Sequence, residues 1–163
     1  MYKHKKRAEI MYNIYQIKLS EAVYNFVNGP DGGHTKTAEK FPEYNTHMEV
    51  MHRGSKSFTP EMIEHYTKVC EVADFQGSTL EEVFKVLNGY YFDEETGKDE
   101  WDEAFVSGFQ MRTITRKDGE VVTFRDMHSL SVGDIVEDTA TGEFHIVDGM
   151  GFKQVETKSL EVA

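Results

Sequence analysis

Residues 127–155, MHSLSVGDIVEDTATGEFHIVDGMGFKQV, decide the fold class. Ile135-Val136 and Phe144 to Val147 are extended runs of β-branched and aromatic residues. The polar stretch Glu137 to Glu143, with Gly142 close to its turn, separates them in the pattern of a hairpin. Gly149-Met150-Gly151-Phe152 then forms a glycine-flanked bend before a last extended piece, Lys153 to Val155. Ahead of the hairpin, Ser131-Val132-Gly133-Asp134 reads as a tight turn feeding a strand. Gly133 supplies a positive φ, and the Asp134 carboxylate accepts from nearby backbone N–H groups. The segment is a β-rich closing module.

Working outward, Gln110 to Thr115 and Glu120 to Phe124 flank Arg116-Lys117-Asp118-Gly119, and Asp-Gly between extended runs signals a further hairpin. Leu80, Val83, Phe84 and Leu87 line one face of a helix that Asn88-Gly89 ends. Its start has capping-box spacing either as Ser78 with Glu81 or as Thr79 with Glu82. Thr67 to Phe75 is extended. Thr59-Pro60-Glu61 opens a helix with Met62, Ile63 and Tyr66 as its apolar stripe. Residues 28–46, rich in Gly, Thr and Pro, read as loop, and Thr46 to Met51 as a short strand. At the start, Tyr12 to Leu19 alternates as a strand, and Ser20 caps a short helix through Ala22, Val23, Phe26 and Val27.

These elements predict an α+β protein with a mixed or antiparallel sheet, two or three short helices packed on it and a β-rich C-terminal third. Residues 1–11 are read as a basic flexible tail, 12–155 as one domain and 156–163 as a polar tail. At 163 residues, 39% hydrophobic and 12% aromatic, the chain has enough apolar side chain for one core.

The formal charge of −11 argues against binding to DNA, RNA or an anionic membrane, which requires a basic face. No apolar run approaches the ~18–20 residues that span a bilayer, and the N-terminus lacks the apolar stretch of a signal peptide. A cytoplasmic location is expected. Cys70 stands alone inside an apolar-patterned strand and reads as a buried, inert thiol.

Catalytic and metal motifs are not matched. His4, His34, His47, His52, His65, His128 and His145 form no HxxxH or HExxH pair. There is no Gly-x-Ser-x-Gly elbow, and Gly32-Gly33 is not followed by Gly-Lys-Ser/Thr. Asp93, Glu95 and Asp99 hint at a calcium loop, but Lys98 and Ala104 stand where an EF-hand needs Gly and Glu. No enzyme activity, cofactor or metal is expected. The informative surface is the run Asp93 to Glu103, with seven acids against one lysine around a single tryptophan. Asp93, Glu94, Glu95, Asp99, Glu100, Trp101, Asp102 and Glu103 are the candidate partner-binding residues, because an aromatic among charges is a common interface anchor.

Ser129, Ser131, Gly133 and Asp134, followed by Phe144 and then Gly151-Phe152, resemble the YodL-like module of small proteins from bacteriophages, plasmids and other bacterial mobile elements. The resemblance is specific over about residues 127–155, within a β-rich stretch of about 105–155, and loose elsewhere. It implies a non-enzymatic accessory protein that binds a host protein, counters host defence or redirects host machinery in the bacterial cytoplasm. It brings no catalytic residues, and the motif positions read as structural. An acidic surface imitating nucleic acid is the sharper form of that expectation. The other open reading is a PUA-like RNA- or nucleotide-binding module that uses the turn at 131–134 with Arg112, Arg116, Lys117 and Arg125.

Overall fold

A computed structural model describes residues 10–73, 79–88, 91–93, 98–100 and 106–158. Strand β1 (Ile10–Gln16) is followed by helices α1 (Glu21–Val27), α2 (His34–Lys40) and α3 (Pro42–Arg53) and by short 3-10 turns at Gly54–Lys56 and Pro60–His65. Then come β2 (Thr67–Ala73), α4 (Leu80–Leu87), β3 (Tyr91–Asp93), β4 (Lys98–Glu100) and β5 (Val106–Ser107). The C-terminal part is all β: β6 (Met111–Thr115), β7 (Val121–Arg125), β8 (Ile135–Asp138), β9 (Phe144–Asp148) and β10 (Gly151–Val155). The architecture is α+β, as the sequence implies.

The main sheet has six strands in the order β10-β9-β8-β1-β2-β5, with every pairing antiparallel. The closing module is the meander β8-β9-β10. It joins the rest of the chain through β8, which pairs with β1 from Tyr12 opposite Asp138 to Tyr15 opposite Ile135. Two further ribbons, β3–β4 and β6–β7, are separate two-stranded sheets.

Successive side chains of a strand alternate between faces, and both faces of this sheet are covered. Tyr12, Ile14, Val136 and Val147 face Val83 and Leu87 of α4. Tyr15, Ile17, Ile135 and Ile146 face Val50 of α3 and Ile63 of the second 3-10 turn. Side chains such as Ile14, Ile135 and Ile146 are fully buried, and each contributes about 1.5–3 kcal/mol by leaving water. Among the described residues, no helix is long and apolar enough to cross a membrane.

The structure corrects the reading of residues 28–51. His34–Lys40 and Pro42–Arg53 are helices, where the sequence was read as loop and then as a short strand. The reason is physical. The buried residue of α2 is Thr37, and α3 buries Tyr44, Thr46 and Val50, so polar residues stand at buried positions and the apolar stripe is broken. Met48 and Val50, which alternate with Glu49, imitate a strand only because the partner turn of the stripe is polar. Pro42 at the first turn of α3 is the start signal that composition obscured. The segment opened by Thr59 is a 3-10 turn. For α4 the cap is Thr79, whose Oγ1 accepts from the Glu82 N–H at 3.3 Å.

β1 begins at Ile10. The backbone of Lys158, beyond the last strand, donates to the Pro60 carbonyl at 2.9 Å.

Candidate functional site

The turn at 131–134 folds into a polar cluster where β1 ends. Gln16 continues the inward face of Tyr12 and Ile14 and is fully buried, so its amide must find partners inside the protein. It finds them on the closing module. Nε2 donates to the His128 carbonyl (2.8 Å) and to Asp134 Oδ2 (3.1 Å), and Oε1 accepts from the His128 N–H (3.3 Å). Asp134 Oδ2 also accepts from the Ser131 N–H at 2.9 Å.

The turn is then stitched to β9. Gly133 N–H donates to the Val147 carbonyl (2.9 Å), and Val147 N–H donates to the Asp134 carbonyl (2.8 Å). The Tyr66 hydroxyl closes the arrangement from the other face by donating to the Gly133 carbonyl at 2.5 Å. Gly133 has φ 97°, and a Cβ there would lie 2.8 Å from Val50 Cγ2 and 3.2 Å from the Val50 carbonyl carbon. Glycine therefore lets α3 seat against the turn.

Electrostatics follow from the packing. Burial pushes the Asp134 carboxyl well above its ordinary range, and the bonds from Ser131 and Gln16 act in the opposite direction. His47 of α3 lies beside the same turn, across a cavity of about 40 Å³ that His128 and Ile17 also line. Burial lowers its pKa, with the fields of His128 and His52 adding to the effect. Burial pushes the Cys70 thiol up to about 12.

Ser131, His128 and Asp134 are neighbours, but they do not form a proton relay. Ser131 Oγ (3.2 Å) and Asp134 Oδ2 (3.6 Å) both face Nδ1 of His128. That same nitrogen also lies 2.7 Å from the Ser129 carbonyl and 3.3 Å from the Gln16 amide nitrogen, so its contacts all fall within the turn and the end of β1. A nucleophile–base–carboxylate triad requires its serine and carboxylate on opposite ring nitrogens. The cluster binds the end of β1 to the closing module and to α3, and the turn at 131–134 is occupied by its own internal bonds.

Phe144 packs at a tilt on Tyr15, with ring centroids 6.1 Å apart. Gly151 opens β10 at φ 94°, and Phe152 packs at the edge of the core beneath α4. Next to it, Phe84, Lys85, Leu130, Val132, Val147 and Phe152 line a groove of about 580 Å³. The groove exists because α4, only eight residues or about 12 Å long, cannot cover a sheet six strands wide.

Of the candidate partner-binding residues, Asp93 ends β3 and Asp99 and Glu100 belong to β4. The ladder sets Asp93 opposite Lys98, Phe92 opposite Asp99 and Tyr91 opposite Glu100. Glu94, Glu95, Trp101, Asp102 and Glu103 lie outside the described residues, as does His4. The basic residues of the RNA-binding reading all lie on the β6–β7 hairpin. Arg112 approaches Glu21 (3.9 Å), Arg116 approaches Glu120 (3.8 Å), and Arg125 lies over the Phe109 ring. Among the described residues, no group of three or more His, Cys, Asp or Glu side chains is placed to hold a metal ion.

Sequence reasoning missed Gln16, His128, His47 and Tyr66 as members of the cluster. Gln16 carried a signal: it is the polar residue at the third inward position of the Tyr12, Ile14 alternation. Comparison of the chain with protein-family models, with curated proteins and with solved structures returns no match.

Proposed function

We propose that this chain is a non-enzymatic accessory protein of the bacteriophage or mobile-element type, working in the bacterial cytoplasm by binding a host protein through its acidic hairpin. The observation that carries the reading is the location of the acidic run. Asp93, Asp99 and Glu100 sit on a two-stranded sheet of their own rather than within the six-stranded sheet. In a chain of charge −11, a ribbon dense in acid favours a partner with a basic surface, through steering and charge complementarity. The resemblance of residues 127–155 to the YodL-like module supports an accessory role against host defence or host machinery. The internal bonds of the 131–134 turn support a scaffold role for the module.

Affinity capture from bacterial lysate with the full chain is the test. A basic host protein, retained at low salt and released as salt rises, is the expected result. Retention of nothing above a scrambled control would remove the basis of the reading.

A further inference from the structure

The β6–β7 ribbon has a character opposite to that of the chain carrying it. Residues 110–125 hold Arg112, Arg116, Lys117 and Arg125 against Asp118 and Glu120, a net +2 in a chain of −11. All five residues of β6 are exposed, with Met111 at 54% and Ile114 at 38%, and Val121 of β7 is exposed at 62%. Val122 and Arg125 of β7 are half-buried, so β7 is the inner strand and β6 the outer one.

The ladder shows which backbone groups β6 offers. Arg116 N–H donates to the Glu120 carbonyl (2.8 Å) and Asp126 N–H to the Gln110 carbonyl (2.8 Å), which bracket the register. In an antiparallel pair the bonded rungs alternate, so they fall at Arg112 with Phe124 and at Ile114 with Val122. The N–H and C=O groups of Met111, Thr113 and Thr115 therefore point away from β7. Among the described residues no strand pairs with β6 on that side. A two-stranded hairpin is marginal in water and gains from a third strand.

We infer that β6 is a docking edge for an extended, acidic segment of a partner protein, which adds as a third strand. Main-chain bonds to Met111, Thr113 and Thr115 supply the affinity of strand addition. Arg112, Arg116 and Lys117 select acidic side chains on the incoming strand. The overall charge of −11 repels a nucleic acid over long range, whereas a short acidic peptide carries far less charge. This edge is a different surface from the acidic hairpin, so either can fail without the other.

The test uses the isotopically labelled full chain at about 10 mM salt, where the Debye length is about 30 Å. The probes are a short blocked peptide of alternating threonine and glutamate, its threonine–lysine counterpart and an oligothymidylate. The acidic peptide is expected to bind and to slow amide hydrogen exchange at Met111, Thr113 and Thr115. Thr113→Pro removes one outward N–H and leaves the bonded rungs intact, and it is expected to weaken binding about tenfold or more. Its β6–β7 cross-strand nuclear Overhauser effects serve as the check on folding, and the double charge reversal R116E/K117E, which leaves the backbone alone, is expected to weaken binding as well. No binding of the acidic peptide, equal protection of the Met111, Thr113 and Thr115 amides by the lysine peptide, or unchanged affinity in either variant overturns the inference. Stronger protection of the same amides by oligothymidylate, or by self-association as the protein is concentrated, also overturns it.

Discussion

Gly133→Ala tests the seat between α3 and the turn that precedes β8. The new Cβ would meet Val50 Cγ2 at 2.8 Å, the Val50 carbonyl carbon at 3.2 Å and the Met51 nitrogen at 3.3 Å, at a φ of 97°. Backbone strain costs about 1–3 kcal/mol, and crowding of a packed site costs about another 1–3 kcal/mol. The stiffer unfolded chain returns about 0.4–1 kcal/mol. The net loss is roughly 1–6 kcal/mol, a large share of the ~5–15 kcal/mol that holds a domain folded. With a urea slope of about 2 kcal/mol per M, the unfolding midpoint should fall by roughly 0.5–3 M. Gly142→Ala is the control, because Gly142 has φ 75° and nothing within 4 Å of the added atom, so it carries strain without contact. Equal losses in the two variants would refute the argument that α3 rests on the turn.

Four other expectations follow from the same cluster and core. Tyr66→Phe leaves the buried Gly133 carbonyl without its hydroxyl donor and should cost about 1–3 kcal/mol by urea unfolding; an unchanged midpoint would show that the bond is not made. Because the folded pKa of Asp134 lies above its ordinary 3.8, the folded state holds the proton more tightly. This group's contribution to stability should therefore fall as pH rises from about 3.8 through the folded value, and D134N should flatten that part of the profile. His47 has the opposite sign: its folded pKa lies below 6.5, so stability is lost as pH falls from 6.5 toward the lowered value, and H47Q should remove that slope. The Cys70 thiol, fully buried with its pKa near 12, should react with a disulfide reagent only at the rate of unfolding, and rapid labelling of the native protein would contradict its placement.

The strands were legible in the sequence wherever apolar residues alternate. Ile135-Val136 and Phe144 to Val147 mark both faces of the closing module, and Asp118-Gly119 marks the turn of the β6–β7 hairpin. Helix α4 was legible because Leu80, Val83, Phe84 and Leu87 keep helical spacing behind a Thr79 cap. Helices α2 and α3 were not, because Thr37 and Thr46 occupy buried positions that a pattern search scores as polar. The cluster was legible in part. Gly133 and Asp134 announced a turn, but their partners Gln16, His47 and Tyr66 are more than 65 residues away in sequence and meet only when β8 pairs with β1. The isolation of the β6–β7 and β3–β4 ribbons from the main sheet is a property of strand order, which local pattern does not carry.

The central claim is that the acidic hairpin recognises a host protein, and the most direct measurement is the affinity of the captured partner for a charge-reversed chain. Reversal of Asp93, Glu94, Glu95, Asp99 and Glu100 to lysine is expected to weaken binding about a hundredfold at low salt. Reversal of the exposed Glu61 and Glu64, on the second 3-10 turn, should leave binding within about threefold. Equal affinity for the native and the hairpin-reversed chain would contradict the account.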